Sequence, residues 1–194
     1  MSLFRCMLIL ALLTLPLGAC ASVPLGSLIP LTRIDLMTTN LDALRAALRL
    51  PTSLRPRPAG VQMDVILVLE GQPAETVALA LVETGEPADL ATLPAPGPGG
   101  SLTYVYRLAP ADIGRFDAIR KALAAHQAAH HSGSLSIGIA TREFCSTGPV
   151  PAGPVPASTY LLTSENAGFV TLLEGFDLRG DPKLAGAFTT LSPC

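Results

Sequence analysis

The chain has 194 residues, with 13 Lys and Arg against 15 Asp and Glu, and its formal charge of −2 excludes a binder held to nucleic acid by its overall charge. Apolar residues make up 49% of the chain and charged residues only 14%, a balance that excludes an intrinsically disordered protein. There is no tryptophan and only 5% aromatic content, so stacking platforms for bases or sugars are scarce.

Arg5 is the only charge before Arg33, and residues 6–17 form an apolar run broken only by Thr14 and Pro16. A basic start, a short apolar stretch and a small-residue exit describe a secretion signal. The run is too short to cross a bilayer as a helix. It closes on Leu17-Gly18-Ala19-Cys20, which resembles the lipobox of bacterial lipoproteins. The resemblance covers residues 1–20 and implies that Cys20 carries a diacylglycerol thioether, with the leader cut before it and the new amino terminus acylated. Several acyl chains together anchor stably where one is marginal. Ala21 stands where an aspartate would imply retention at the inner membrane, so the resemblance implies an outer-membrane address facing the periplasm in a two-membrane host.

Residues 1–19 thus read as a signal peptide, 20–30 as a lipid-anchored tether, and 31–194 as a single α+β domain with a C-terminal extension over 145–194. Cleavage leaves three of the four cysteines, Cys20, Cys145 and Cys194. With Cys20 lipidated, Cys145 and Cys194 form the remaining intramolecular pair, and an oxidising compartment keeps such a disulfide.

In the domain, residues 33–37 read as a first strand. Thr39 then caps a helix bearing Leu41, Leu44 and Leu48 as its apolar stripe, with Pro51 ending it. Residues 61–70 alternate as a second strand, and 75–82 read as a returning strand, though their alanines and leucine would also suit a short helix. Residues 87–100 form a proline–glycine loop. Residues 102–108 are a strand with Tyr104 and Tyr106 on one face. Pro110 opens a helix whose buried stripe is Ile113, Phe116, Ile119 and Leu123, stopped by Gly133. Residues 135–140 make the next strand. The prolines at 149, 151, 154 and 156 stiffen a crossover to a hairpin of residues 160–163 and 169–173. Leu184, Phe188 and Leu191 recur as one helical stripe in the tail. Strand–helix–strand occurs twice, which predicts a two-layer sandwich with a ferredoxin-like split βαβ core, mainly antiparallel, with helices on one face and the hairpin as an extension.

The chemistry-bearing residues are few. His126, His130 and His131 are the only histidines, and the four-residue spacing of the first two allows a metal pair on one helix face. The plainer expectation is no metal, with the histidines favoured near a helix C-terminus by its dipole. Arg45, Arg49, Arg55 and Arg57 form a candidate anion patch or, more simply, a solvated helix face. Ser132, Ser134 and Ser136 stand beside the histidines, and Asp112 or Asp117 would have to reach them from afar to complete a hydrolase triad. No cofactor is implied. The expected function is a non-catalytic cell-envelope lipoprotein that holds a protein partner or assists its assembly. The alternatives are a small-ligand or lipid-binding lipoprotein, which would need an apolar cavity, and a hydrolase assembled from distant residues.

Overall fold

In residues 45–50, Ala46, Leu48 and Leu50 alternate with Arg45, Ala47 and Arg49. The computed structural model describes residues 34–93, 95, 100–182, 184, 186, 188 and 191–194, and in it this alternation forms strand β1 (Arg45–Pro51). The expected helix here is overturned. The leucine spacing fits a helix, but the same residues also fit period two, and partners on both sides of the strand decide between them. Leu41 and Leu44, the start of the expected stripe, are still buried, in the turn that leads into β1.

The expected strand at 33–37 is also replaced. Arg33 lies outside the described residues. From Ile34 onward the chain turns, because the Asp35 carboxylate accepts hydrogen bonds from the Met37 amide and the Thr38 hydroxyl. A short acid bonding its own backbone two residues on competes with a ladder. Thr39 caps no helix. It is buried, and its hydroxyl donates to Glu165.

The remaining strands are β2 (Leu54–Pro56), β3 (Val61–Leu69), β4 (Glu75–Thr84), β5 (Ser101–Leu108), β6 (Gly133–Thr141), β7 (Phe144–Ser146), β8 (Pro156–Leu162) and β9 (Val170–Asp177). A helical turn, α1 (Pro87–Leu90), interrupts the expected loop, and α2 (Pro110–Ala128) is the one long helix among the described residues. Seven strands form one curled antiparallel sheet in the order β6-β3-β4-β5-β1-β8-β9, while β2 and β7 pair as a separate ribbon.

The fold is therefore α+β, with α2 against β3, β4 and β6 on one face of the sheet. The split βαβ core does not form. β5 and β6 flank α2, but β3 and β4 lie between them in the sheet, and the chain of antiparallel pairings leaves β5 and β6 pointing in opposite directions. Nor is the C-terminal hairpin an appendage. β8 pairs directly with β1, from Arg45 opposite Leu162 to Arg49 opposite Ser158.

One core gathers inward residues from across the sheet, including Leu48, Leu50, Met63, Val65, Leu79 and Tyr106, and closes under Phe116, Ile119 and Leu123 of α2. Burying each such side chain contributes about 1.5–3 kcal/mol before conformational entropy is set against it. A smaller cluster on the opposite face joins Ala47, Val105 and Tyr160 under Leu93 and Phe169. β1 is therefore covered on both faces.

Asp112, in the first turn of α2, accepts the Ala80 amide at 2.6 Å and pairs with Arg115 at 2.7 Å, which ties the helix to β4. Burial pushes its carboxyl up, and these two donors outweigh burial and hold it below the ordinary aspartate range.

Cys145 and Cys194 are disulfide-bonded, with their α-carbons 4.9 Å apart. Cys145 lies on β7, so the bond ties the tail to the β2–β7 ribbon rather than to the main sheet. The tail continues that ribbon: the Cys194 amide donates to the Ser146 carbonyl, and Ser146 bridges Pro193 in parallel. Leu184, Phe188 and Leu191 pack against the core, and Phe188 stacks on Phe144 at 6.3 Å. Residues 183, 185, 187, 189 and 190 lie outside the described residues, so the helical stripe expected in the tail is described only at Leu184, Phe188 and Leu191 themselves.

Cys194→Ser should lower stability by up to about 4 kcal/mol, the chain-entropy value for a separation of 49 residues. Limited proteolysis should then cut the tail first. Unchanged melting and an equally resistant tail would refute a structural role for the bond.

A second expectation concerns acid. Burial pushes the Glu165 carboxyl up, but hydrogen bonds from Thr39, Thr163 and Ser164 overcome this and bring it down to about 2. A carboxyl lowered on folding stabilises above its unfolded value, near 4.3, and that contribution fades as pH falls toward 2. Thermal melts of the parent and Glu165→Gln should therefore differ most at pH 6, and the difference should shrink steadily as pH falls from there toward 2. A constant difference across that range would refute the assignment.

Candidate functional site

The two ends of the sheet, β6 and β9, curl toward each other and flank a cleft of about 540 Å³. Its floor is Leu48 of β1 with Ala157 and Thr159 of β8. One wall is the end of β6 at Ile139 and Thr141, and the other is Leu173 and Phe176 of β9. Phe144, Leu178 and Leu184 complete the apolar lining.

This lining follows from strand alternation. Leu48 stands opposite Thr159, and Thr159 opposite Leu173, so the three form one row across the inner face. Ile139 stands opposite Met63 on the far side of the curl. The two rows belong to strands at opposite ends of the sheet and face each other only because it curls.

The rim is charged. Asp64, Arg142 and Asp181 border the opening. Asp64 accepts the Gln62 amide at 2.6 Å, while Arg142 approaches it at only 3.6 Å and keeps 64% of its side chain exposed. A pair this open contributes little to stability, so Arg142 can swing toward a guest at low cost. An apolar floor with a few polar groups at the mouth is the arrangement that binding sites share.

The residues singled out from sequence lie elsewhere. The four arginines do not form one patch. Arg45 pairs with the buried Asp89 of α1 at 2.9 Å. Arg49 donates to the Ala95 carbonyl and lies 5.0 Å above the Tyr160 ring. Arg55 pairs with Glu83 and covers Tyr104, and Arg57 donates to Ser192. Arg45 and Arg49 do share a face, but on a strand, and Arg55 works on the other side of the sheet.

The histidines sit at the C-terminal end of α2. His130 has left the helix, with φ 62°, and His131 folds back so that its ring lies 5.0 Å from that of His126. The helix thus ends at His130, three residues before Gly133. Gly133 instead starts β6 under the helix, where an added Cβ would lie 2.7 Å from Leu123 Cδ1. The four-residue pairing of His126 with His130 does not form. Among the described residues no group of three His, Cys, Asp or Glu side chains is placed to hold a metal.

The Ser132 amide and hydroxyl both donate to Glu70, at 2.8 and 3.0 Å, and they hold that carboxyl below the usual range. Asp112 and Asp117 are engaged by Arg115 and Arg120, so the structure does not assemble the triad considered from sequence. Cys20 and the rest of the lipobox lie outside the described residues, among which no helix is long and apolar enough to cross a membrane. No family model, no curated protein and no solved structure matches the chain.

The cleft residues were missed because each looks like ordinary core in its own strand. The one local signal is β6 itself, a nine-residue strand without charge or proline.

The left-handed backbone at His130 gives a direct test of the helix end. His130→Gly should raise stability by about 1 kcal/mol, since glycine adopts that conformation without the Cβ penalty. Chemical denaturation reads the change, and a destabilised variant would show that the side chain is needed there.

Proposed function

We propose that this chain is a lipid-anchored cell-envelope protein that holds an apolar segment of a protein partner in the cleft between β6 and β9. The cleft carries the reading: an apolar lining of Leu48, Ile139, Leu173 and Phe176, open to solvent and bordered by charge. Cys20 supplies the anchor through its acyl chains, and in a host with two membranes Ala21 leaves the protein addressed to the outer membrane, facing the periplasm. The role is binding rather than catalysis.

A second reading uses the same cleft. Its volume of about 540 Å³ falls in the range of small-molecule sites, and its lining suits an acyl chain or another small apolar ligand.

Site-specific cross-linking in native membranes tests both. A photoreactive residue in place of Leu173, in the cleft, should capture a protein, whereas one at the exposed Thr76 on β4 should not. Equal capture at both positions, or none at Leu173, would overturn the reading. A mass increase of only a lipid's size at Leu173 would transfer the cleft to the second one. In the same membranes Cys20→Ser should be unprocessed or released. Normal processing and retention of Cys20→Ser would refute the anchor.

A further inference from the structure

Six antiparallel pairings separate β6 from β9, so these two edge strands run in the same direction. A single extended chain lying between them would be antiparallel to both. The edges differ in how open they are to such a chain. β9 carries the exposed Glu174, a left-handed Gly175 at φ 63° and register shifts against β8, all of which discourage pairing. β6 carries none of these. It runs through nine pairs with β3 without a register shift, and its sequence from Gly133 to Thr141 has no charge and no proline. An edge this plain is a template for another strand.

The cleft opens along the Ile139–Thr141 end of this edge. We propose that the partner segment held in the cleft enters as an extended strand that adds to β6, its amino-terminal end beside Thr141 and its carboxyl-terminal end toward Gly133. The inference rests on the reading of the cleft as a partner site, and it names the chemistry of the guest. Backbone hydrogen bonds to β6 supply affinity without regard to sequence. Side chains at alternate positions point into the cleft, where Leu48, Leu173 and Phe176 select apolar residues. Those between them face the opposite side, beside Ala140 and Arg142.

Asp64, Asp181 and Arg142 stand around the mouth. An acyl chain would fill the floor but leave the hydrogen-bonding groups of β6 to water.

The test uses the full-length lipoprotein in lipid nanodiscs. The probe is a pool of ten-residue peptides with Val, Ile, Leu or Phe at alternate positions and Ser, Thr or Lys between them. Selected peptides should slow amide hydrogen exchange across residues 133–141 at least tenfold and leave β4 and β5 unchanged. Methylating alternate backbone nitrogens on the edge facing β6 should weaken their Kd at least tenfold. Methylated and parent peptides binding alike in the cleft would overturn strand addition while leaving the cleft a partner site. A pool that yields no binder would overturn both, and palmitate binding alongside that failure would assign the cleft to an acyl chain. A dimer in which residues 133–141 are already protected without peptide would also overturn the proposal, in favour of a second copy of the chain.

Discussion

The structure depends on β1 being held from both sides. Its seven residues pair with β5 along their whole length and with β8 over five positions. Without it the sheet would separate into the β6-β3-β4-β5 half that carries α2 and the β8–β9 hairpin. Its alternation also serves two cores. Ala46, Leu48 and Leu50 enter the main one, and Ala47 enters the smaller cluster with Val105 and Tyr160. Alanine at 46 and 47 leaves room for the tyrosines that stand beside them: Ala46 is opposite Tyr106, and Ala47 is opposite Tyr160. The two flanking arginines close the outer face, Arg45 against Asp89 and Arg49 over the Tyr160 ring.

What could be read from the sequence was what neighbouring residues decide. β3 alternates cleanly, β5 carries Tyr104 and Tyr106 on one face, and α2 shows its stripe of Phe116, Ile119 and Leu123, so these elements follow from local pattern. The disulfide follows from counting cysteines once Cys20 is assigned to lipid. Residues 41–50 did not yield, because leucines at 41, 44 and 48 satisfy a helix as well as the strand, and only distant partners choose between them. The helix end at His130 was equally hidden. A left-handed residue there satisfies the last turn of α2, and a histidine does not advertise that role as a glycine would.

The cleft was out of reach for a different reason. Leu48, Ile139 and Phe176 come from strands far apart in sequence, and nothing in any one of them marks it as part of a site. They meet because the seven-stranded sheet curls without its edges pairing. The charged residues that drew notice, the arginines and histidines, are spent on packing, on ring contacts and on ending a helix. The residues that line the opening look, in sequence, like the core of an ordinary sheet.

The register of β1 also bears on how the protein comes to be folded. Arg45 waits for Arg107 on one side and Leu162 on the other. A chain that emerges from its amino terminus presents β1 early, yet its second partner arrives only when more than a hundred further residues have followed. Pairings this remote fold slowly, and until they form they leave apolar strand exposed to aggregation. The half of the sheet built from β3, β4, β5, α2 and β6 completes its own pairings without β8 and can assemble first. If Cys20 is lipidated, the amino terminus is tethered at the bilayer while β1 is still unpaired, and a segment about twenty-five residues from the anchor stays within reach of the membrane surface. The order of strands thus makes the late arrival of β8, rather than the formation of α2, the step that completes the sheet.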